Sequence, residues 1–60
     1  MKATVITKFT ATWSNYGVPI ATRTFEVGES YYVQSSRPEG IAIDGFFVFE
    51  KHFPNLKLES

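Results

Sequence analysis

The chain has no cysteine and only one histidine, His52. Disulfides, thiolate zinc sites and a cysteine nucleophile are therefore excluded, and one imidazole cannot build a metal cage. Neither sign of charge is in excess. Six basic residues (Lys2, Lys8, Arg23, Arg37, Lys51, Lys57) are matched by six acidic ones (Glu26, Glu29, Glu39, Asp44, Glu50, Glu59). They are scattered, so the linear sequence shows neither the clustered basic face expected for duplex nucleic acid nor the acidity of a nucleic-acid mimic. Long apolar runs are absent too. Nothing approaches the ~20 residues of a membrane span, and no apolar signal-peptide segment follows Lys2. With Met1 at its start and no tag or linker, the chain reads as a complete small cytoplasmic protein.

Chemistry is equally sparse. Ser14, Ser30, Ser35, Ser36 and Ser60 share one candidate base, His52, which lies between Lys51 and Phe53 and reads as a surface residue. No carboxylate pair is singled out by spacing, and no glycine-rich loop opens a helix to cradle a phosphate. Asp44-Gly45 is not followed by the other ligand positions of a calcium loop. The expectation is a non-enzyme with no cofactor and no metal.

What is present in quantity is aromatic and β-branched. Aromatics make up 17% of the sixty residues, and such side chains bury the most area each. One domain spanning residues 1–60 is the most this length allows. A chain this short buries only about 60% of its unfolded surface, so its stability must come from apolar packing, within the chain or shared with a second copy.

The patterning is β throughout. From Lys2 to Trp13 the odd positions Ala3, Val5, Phe9, Ala11 and Trp13 alternate with polar residues, broken only at Ile6-Thr7, as in a half-buried strand. Ser14–Thr22, with Asn15, Gly17 and Pro19, reads as a loop. Arg23–Val27 can extend, and Gly28-Glu29-Ser30 turns the chain. Tyr31–Ser35, Ile41–Ile43 and Phe46–Glu50 then form a three-stranded antiparallel meander. Arg37-Pro38-Glu39-Gly40 reads as a type I turn, and Asp44-Gly45 as a type I′ turn. Pro54 ends the last meander strand in a 3₁₀ turn near Phe53, and Leu56–Glu59 extends again. Five strands with short connections predict a small all-β barrel, closed so that no edge is left open. In such a meander Phe47 and Phe49 are expected to face inward with Ile41 and Ile43. Phe46 and Val48 would then point to the other face.

This order of elements resembles an SH3-like barrel. A long connection follows the first strand, "VGESYYV" leads into a meander, and "FPNLKL" resembles the Phe-Pro, 3₁₀ turn and last strand of SH3 domains. The resemblance implies that Phe53 is core and that Pro54 lies on the peptide-binding face. Proline-rich peptide binding does not carry over. Ile41 stands near the place of the tandem tryptophan, Lys57 near that of the later tyrosine, and Ser14–Thr22 has no acidic residue. In size and in its "FEVGESYYV" stretch the chain also looks like the short SH3-like open reading frames of bacteriophages.

The aromatics divide into a predicted core (Phe9, Phe25, Tyr31, Phe47, Phe49, Phe53) and four candidates for exposure, Trp13, Tyr16, Tyr32 and Phe46. Tyr and Trp are enriched at interface hot spots, so these four form the candidate partner-binding surface. The expected function is a non-catalytic protein-binding module, of the kind a phage uses to bind and inhibit a host protein. Its partner would be another protein, or a second copy in a homodimer that covers Phe46 and Val48. The alternative is a single-stranded nucleic-acid binder, which requires Lys8, Arg23, Arg37 and Tyr32 to converge on one face.

Overall fold

A computed structural model describes all residues from Met1 to Ser60. The fold is all-β with antiparallel pairing. Seven strands run in chain order: β1 (Lys2–Val5), β2 (Phe9–Asn15), β3 (Val18–Phe25), β4 (Ser30–Arg37), β5 (Gly40–Ile43), β6 (Phe46–Phe49) and β7 (Leu56–Glu59). A 3₁₀ helix, Glu50–Asn55, lies between β6 and β7. Five strands form one sheet in the order β6-β5-β4-β1-β7, and β2 and β3 form a separate hairpin.

Three expectations about the order and closure of the strands need correction. First, the alternation from Lys2 to Trp13 is two strands. At the break the Ile6 and Thr7 amides donate to the Asn55 carbonyl oxygen (2.9 and 3.3 Å), and the chain turns a corner from sheet to hairpin. Second, Ser14–Thr22 spans the end of β2, the tip of that hairpin and the first part of β3. Its turn is Tyr16-Gly17, at φ 51° and 77°. Pro19 is tolerated because β3 pairs only with β2, so its missing N–H is not needed on the outer edge. Third, the sheet does not close. β6 and β7 are its outer strands, and the 3₁₀ segment bridges from one to the other.

The meander forms as expected, with Asp44 and Gly45 at φ 48° and 74°, the conformation a type I′ turn demands. That turn sets the register. Ile43 is opposite Phe46, Ala42 opposite Phe47, Ile41 opposite Val48 and Gly40 opposite Phe49. Opposed residues in antiparallel strands share a face. Phe46 and Val48 therefore accompany Ile43 and Ile41 into the core, and Phe47 and Phe49 lie on the outer face, the reverse of the sequence expectation.

The core is nine residues: Ala3, Val5, Phe9, Ala11, Phe25, Ile41, Ile43, Val48 and Leu56. Tyr31, Val33, Phe46 and Phe53 pack against it. Phe25 is at its centre, stacked on Phe9 (5.0 Å) and edge-on to Tyr31 (6.1 Å) and Phe46 (6.2 Å). On the other side of Phe9, the half-buried His52 ring stacks at 4.9 Å.

This stack has a pH signature. Burial, aided by the charge of Lys51, holds His52 below the ordinary histidine pKa. The folded chain then takes up a proton less readily than the unfolded one. Stability is full above the unfolded value, about pH 6.5, and declines as pH falls through the folded value. Thermal midpoints from pH 8 to 5 should fall faster for the native chain than for His52→Gln. Parallel curves would show that the stack does not resist protonation.

Candidate functional site

The outer face of the meander carries two cross-strand rows. Ser35, Ala42 and Phe47 make one, and Arg37, Gly40 and Phe49 the other. Arg37 and Ser35 reach this face because β4 changes register between Val33 and Ser35. The extra residue, Gln34, turns its side-chain oxygen to accept the Gly45 amide (2.8 Å). A bulge of this kind reverses the alternation of a strand, so Val33 faces the core while Ser35 and Arg37 face out. The middle strand contributes only Gly40 and Ala42, which leaves a trough.

Trp13 of the hairpin forms one wall of this trough. Its ring lies nearly parallel to Phe49 (6.2 Å, 10°) and edge-on to Phe47 (6.0 Å, 69°), while Phe47 and Phe49 meet edge-on at 5.1 Å. Such pairs contribute about 0.5–1.5 kcal/mol each beyond area burial, enough to hold the hairpin over the sheet. The groove measures about 360 Å³ and is lined by Trp13, Ser35, Arg37, Glu39, Phe47 and Phe49. A second, of about 320 Å³, lies on the other side of the Trp13–Phe47 contact, against Ala21, Gly45 and Phe46. Apolar walls with a few polar groups at the rim are the usual make-up of a binding cleft.

The rim charges differ in availability. Arg23 is fully engaged. It pairs with the Asp44 carboxylate (2.7 Å), donates to the Asp44 carbonyl oxygen (3.3 Å) and the Tyr31 hydroxyl (3.1 Å), and lies over the Phe25 ring at 4.7 Å. The hydrogen bond to Asp44 raises its pKa further, and burial raises that of Tyr31. Arg23 therefore ties the hairpin to the β5–β6 turn. Lys8 pairs with Glu26 at 3.7 Å. Arg37 and Glu39, beside the groove, have no side-chain hydrogen bond or ion pair within the chain.

Of the four predicted partner-binding residues, Trp13 is in the groove and 42% exposed, and Tyr16 is at the hairpin tip and 97% exposed. Tyr32 is open to solvent but lines neither groove; it sits opposite Lys2 on β1. Phe46 packs on the core and shows one edge to the smaller groove. Val18 and Ile20, which follow Tyr16 and lie on β3, are exposed as well. For the nucleic-acid alternative, Lys8 and Arg23 are each held by a carboxylate, Arg37 stands at the groove, and Tyr32 lies outside it.

Sequence reasoning missed Phe47, Phe49, Ser35 and Glu39. The signal for the two phenylalanines was present in the Asp44-Gly45 turn, which fixes the register. No helix is long and apolar enough to cross a membrane. No family model, curated protein or solved structure matches the chain.

Proposed function

We propose that the chain is a non-catalytic protein-binding module that docks a partner in the groove between the β2–β3 hairpin and the outer face of β4–β5–β6. One observation carries the reading. Trp13, Phe47 and Phe49 are gathered on the side of the sheet away from the core, where they hold the hairpin and still leave a groove open between them. Tyr16 adds to it, because a tyrosine at positive φ stores strain, and strain of that kind clusters at working sites. The order strand, hairpin, meander, 3₁₀ turn and last strand, with β7 returning to pair with β1, supports an SH3-like arrangement of the open kind. An accessory role of the type served by short phage proteins, docking on a host protein and inhibiting it, suits a surface with apolar walls and little titratable chemistry. Single-strand nucleic-acid binding has less support, since two of its three cations are already paired with carboxylates.

The test is capture of a partner from cell lysate with tagged native protein, Trp13→Ala and Tyr32→Ala. Trp13→Ala should weaken capture about thirtyfold, the scale of a hot-spot loss of about 2 kcal/mol. Tyr32→Ala should match the native chain. Equal capture by Trp13→Ala, with its β-sheet circular dichroism intact, would remove the groove from the reading.

A further inference from the structure

Residues 9–22, which form β2, the hairpin tip and the first part of β3, contain no charged side chain. They expose Trp13, Tyr16, Val18 and Ile20. Both hairpin strands pair only with each other, and the devices that guard their edges are Pro19 and the register shift at Trp13/Ser14. At the groove rim stand two unpaired charges of opposite sign, Arg37 and Glu39, on either side of the Pro38 turn. An interface with two-fold symmetry places residue i on residue j and j on i. A patch with one free cation and one free anion is therefore complementary to itself, whereas a patch of one sign would repel itself. The chain as a whole is neutral, so no long-range repulsion opposes association.

The size of the core gives a reason for a second copy. Nine buried apolar residues hold sixty together without a disulfide. For domains this small, oligomerisation is one of the remaining ways to gain stability. A standard interface covers about 800 Å² per partner, about a fifth of the 4040 Å² this chain exposes.

We infer that the groove face closes against a second copy about a two-fold axis near Pro38, with Arg37 of each protomer on Glu39 of its partner. The apolar hairpin is covered in the process. This rests on the reading of the face as a protein interface, and adds that a partner protein must displace the second copy to dock.

The experiment needs only purified protein, with mass measured by light scattering and sedimentation over a wide concentration range. The native chain should show twice the 6.8 kDa chain mass. Arg37→Glu and Glu39→Arg alone each bring like charges together and should each raise the dimer dissociation constant about tenfold, as exposed ion pairs allow. An equimolar mixture of the two variants should regain the dimer, because one chain then offers two carboxylates and the other two guanidinium groups. The double swap Arg37→Glu/Glu39→Arg should regain it as well. Neither side chain has a partner within the chain, so thermal midpoints corrected for dimer loss serve as the folding control. A native chain that stays monomeric to about 1 mM overturns the inference, and so does a dimer that the single swaps leave unchanged. If a monomer still captures a partner through Trp13, only the self-association is lost. If a dimer responds to the swaps but captures nothing, the module reading fails and the self-association stands.

Discussion

Phe25→Ala should leave the chain unfolded at 25 °C. Phe25 is fully buried at the end of β3, where the hairpin rejoins the sheet. It is stacked on Phe9, edge-on to Tyr31 and Phe46, and capped by the Arg23 guanidinium. Removing such a ring costs about 3–5 kcal/mol through lost transfer energy and the cavity left behind. A single core in a chain this short, with no disulfide, supplies about 3–5 kcal/mol in total. The loss therefore takes most or all of it, and the core is too small to collapse around the gap. The hairpin would also lose its main anchor, and Trp13 with it. Phe49→Ala provides the comparison. Phe49 is half-buried on the outer face, so its loss should leave the chain folded and blunt the groove. Far-UV circular dichroism and urea titration of the two variants distinguish these outcomes. A Phe25→Ala chain with a cooperative transition within about 1 kcal/mol of the native one would mean that the hairpin, and not the Phe25 stack, organises the core.

Gly40→Ala is the second large effect. Gly40 opens β5 opposite Phe49 and is buried. A β-carbon there would overlap the Val48 carbonyl oxygen and come within 2.9 Å of the Phe49 Cα. Both obstacles are backbone, so no side chain can swing aside. Overpacking of a well-filled site costs about 1–3 kcal/mol, and a backbone obstacle places this change at the upper end. Because β5 and β6 must separate to admit the methyl group, the Glu50 amide bond to the Glu39 carbonyl oxygen (2.8 Å) is lost in the same movement. The expected result is a large fall in thermal midpoint, accompanied by loss of partner capture even below the new midpoint. Gly17→Ala gives the scale of backbone strain without a clash, since a β-carbon there meets nothing within 4 Å and only the positive φ costs, about 1–2 kcal/mol. An unchanged midpoint for Gly40→Ala would show that the β5–β6 spacing is looser than the register implies.

Much of the architecture was legible in the sequence, and the reasons are local. The meander could be read because Asp44-Gly45 has one strong conformational preference and Pro38 fits one turn position. The 3₁₀ segment could be read from Pro54. The division between β1 and β2 was visible as a break in alternation at Ile6-Thr7, but a corner and an irregularity look alike until the Asn55 carbonyl oxygen is placed. The hairpin at Tyr16-Gly17 was hidden because tyrosine rarely takes positive φ, and because Asn15, Gly17 and Pro19 together have the composition of a loop. The inward and outward faces of β6 were recoverable in principle. A two-residue turn dictates that Phe46 faces Ile43, and from there the alternation follows. The Gln34 bulge was not recoverable, since nothing in Gln34 signals an extra residue, and Arg37 and Ser35 owe their place at the groove to it. The candidate site was therefore half visible: Trp13 and Tyr16 by residue type, the sheet side of the groove only through register.

The position of Trp13 has a practical consequence. It is the chain's only tryptophan, and its indole lies against Phe47 and Phe49 at the mouth of the cleft. Ultraviolet emission excited at the red edge of its absorption band thus comes from one place on the molecule. Water leaving the cleft should shift that emission to shorter wavelength, giving an unlabelled optical gauge of whatever settles there.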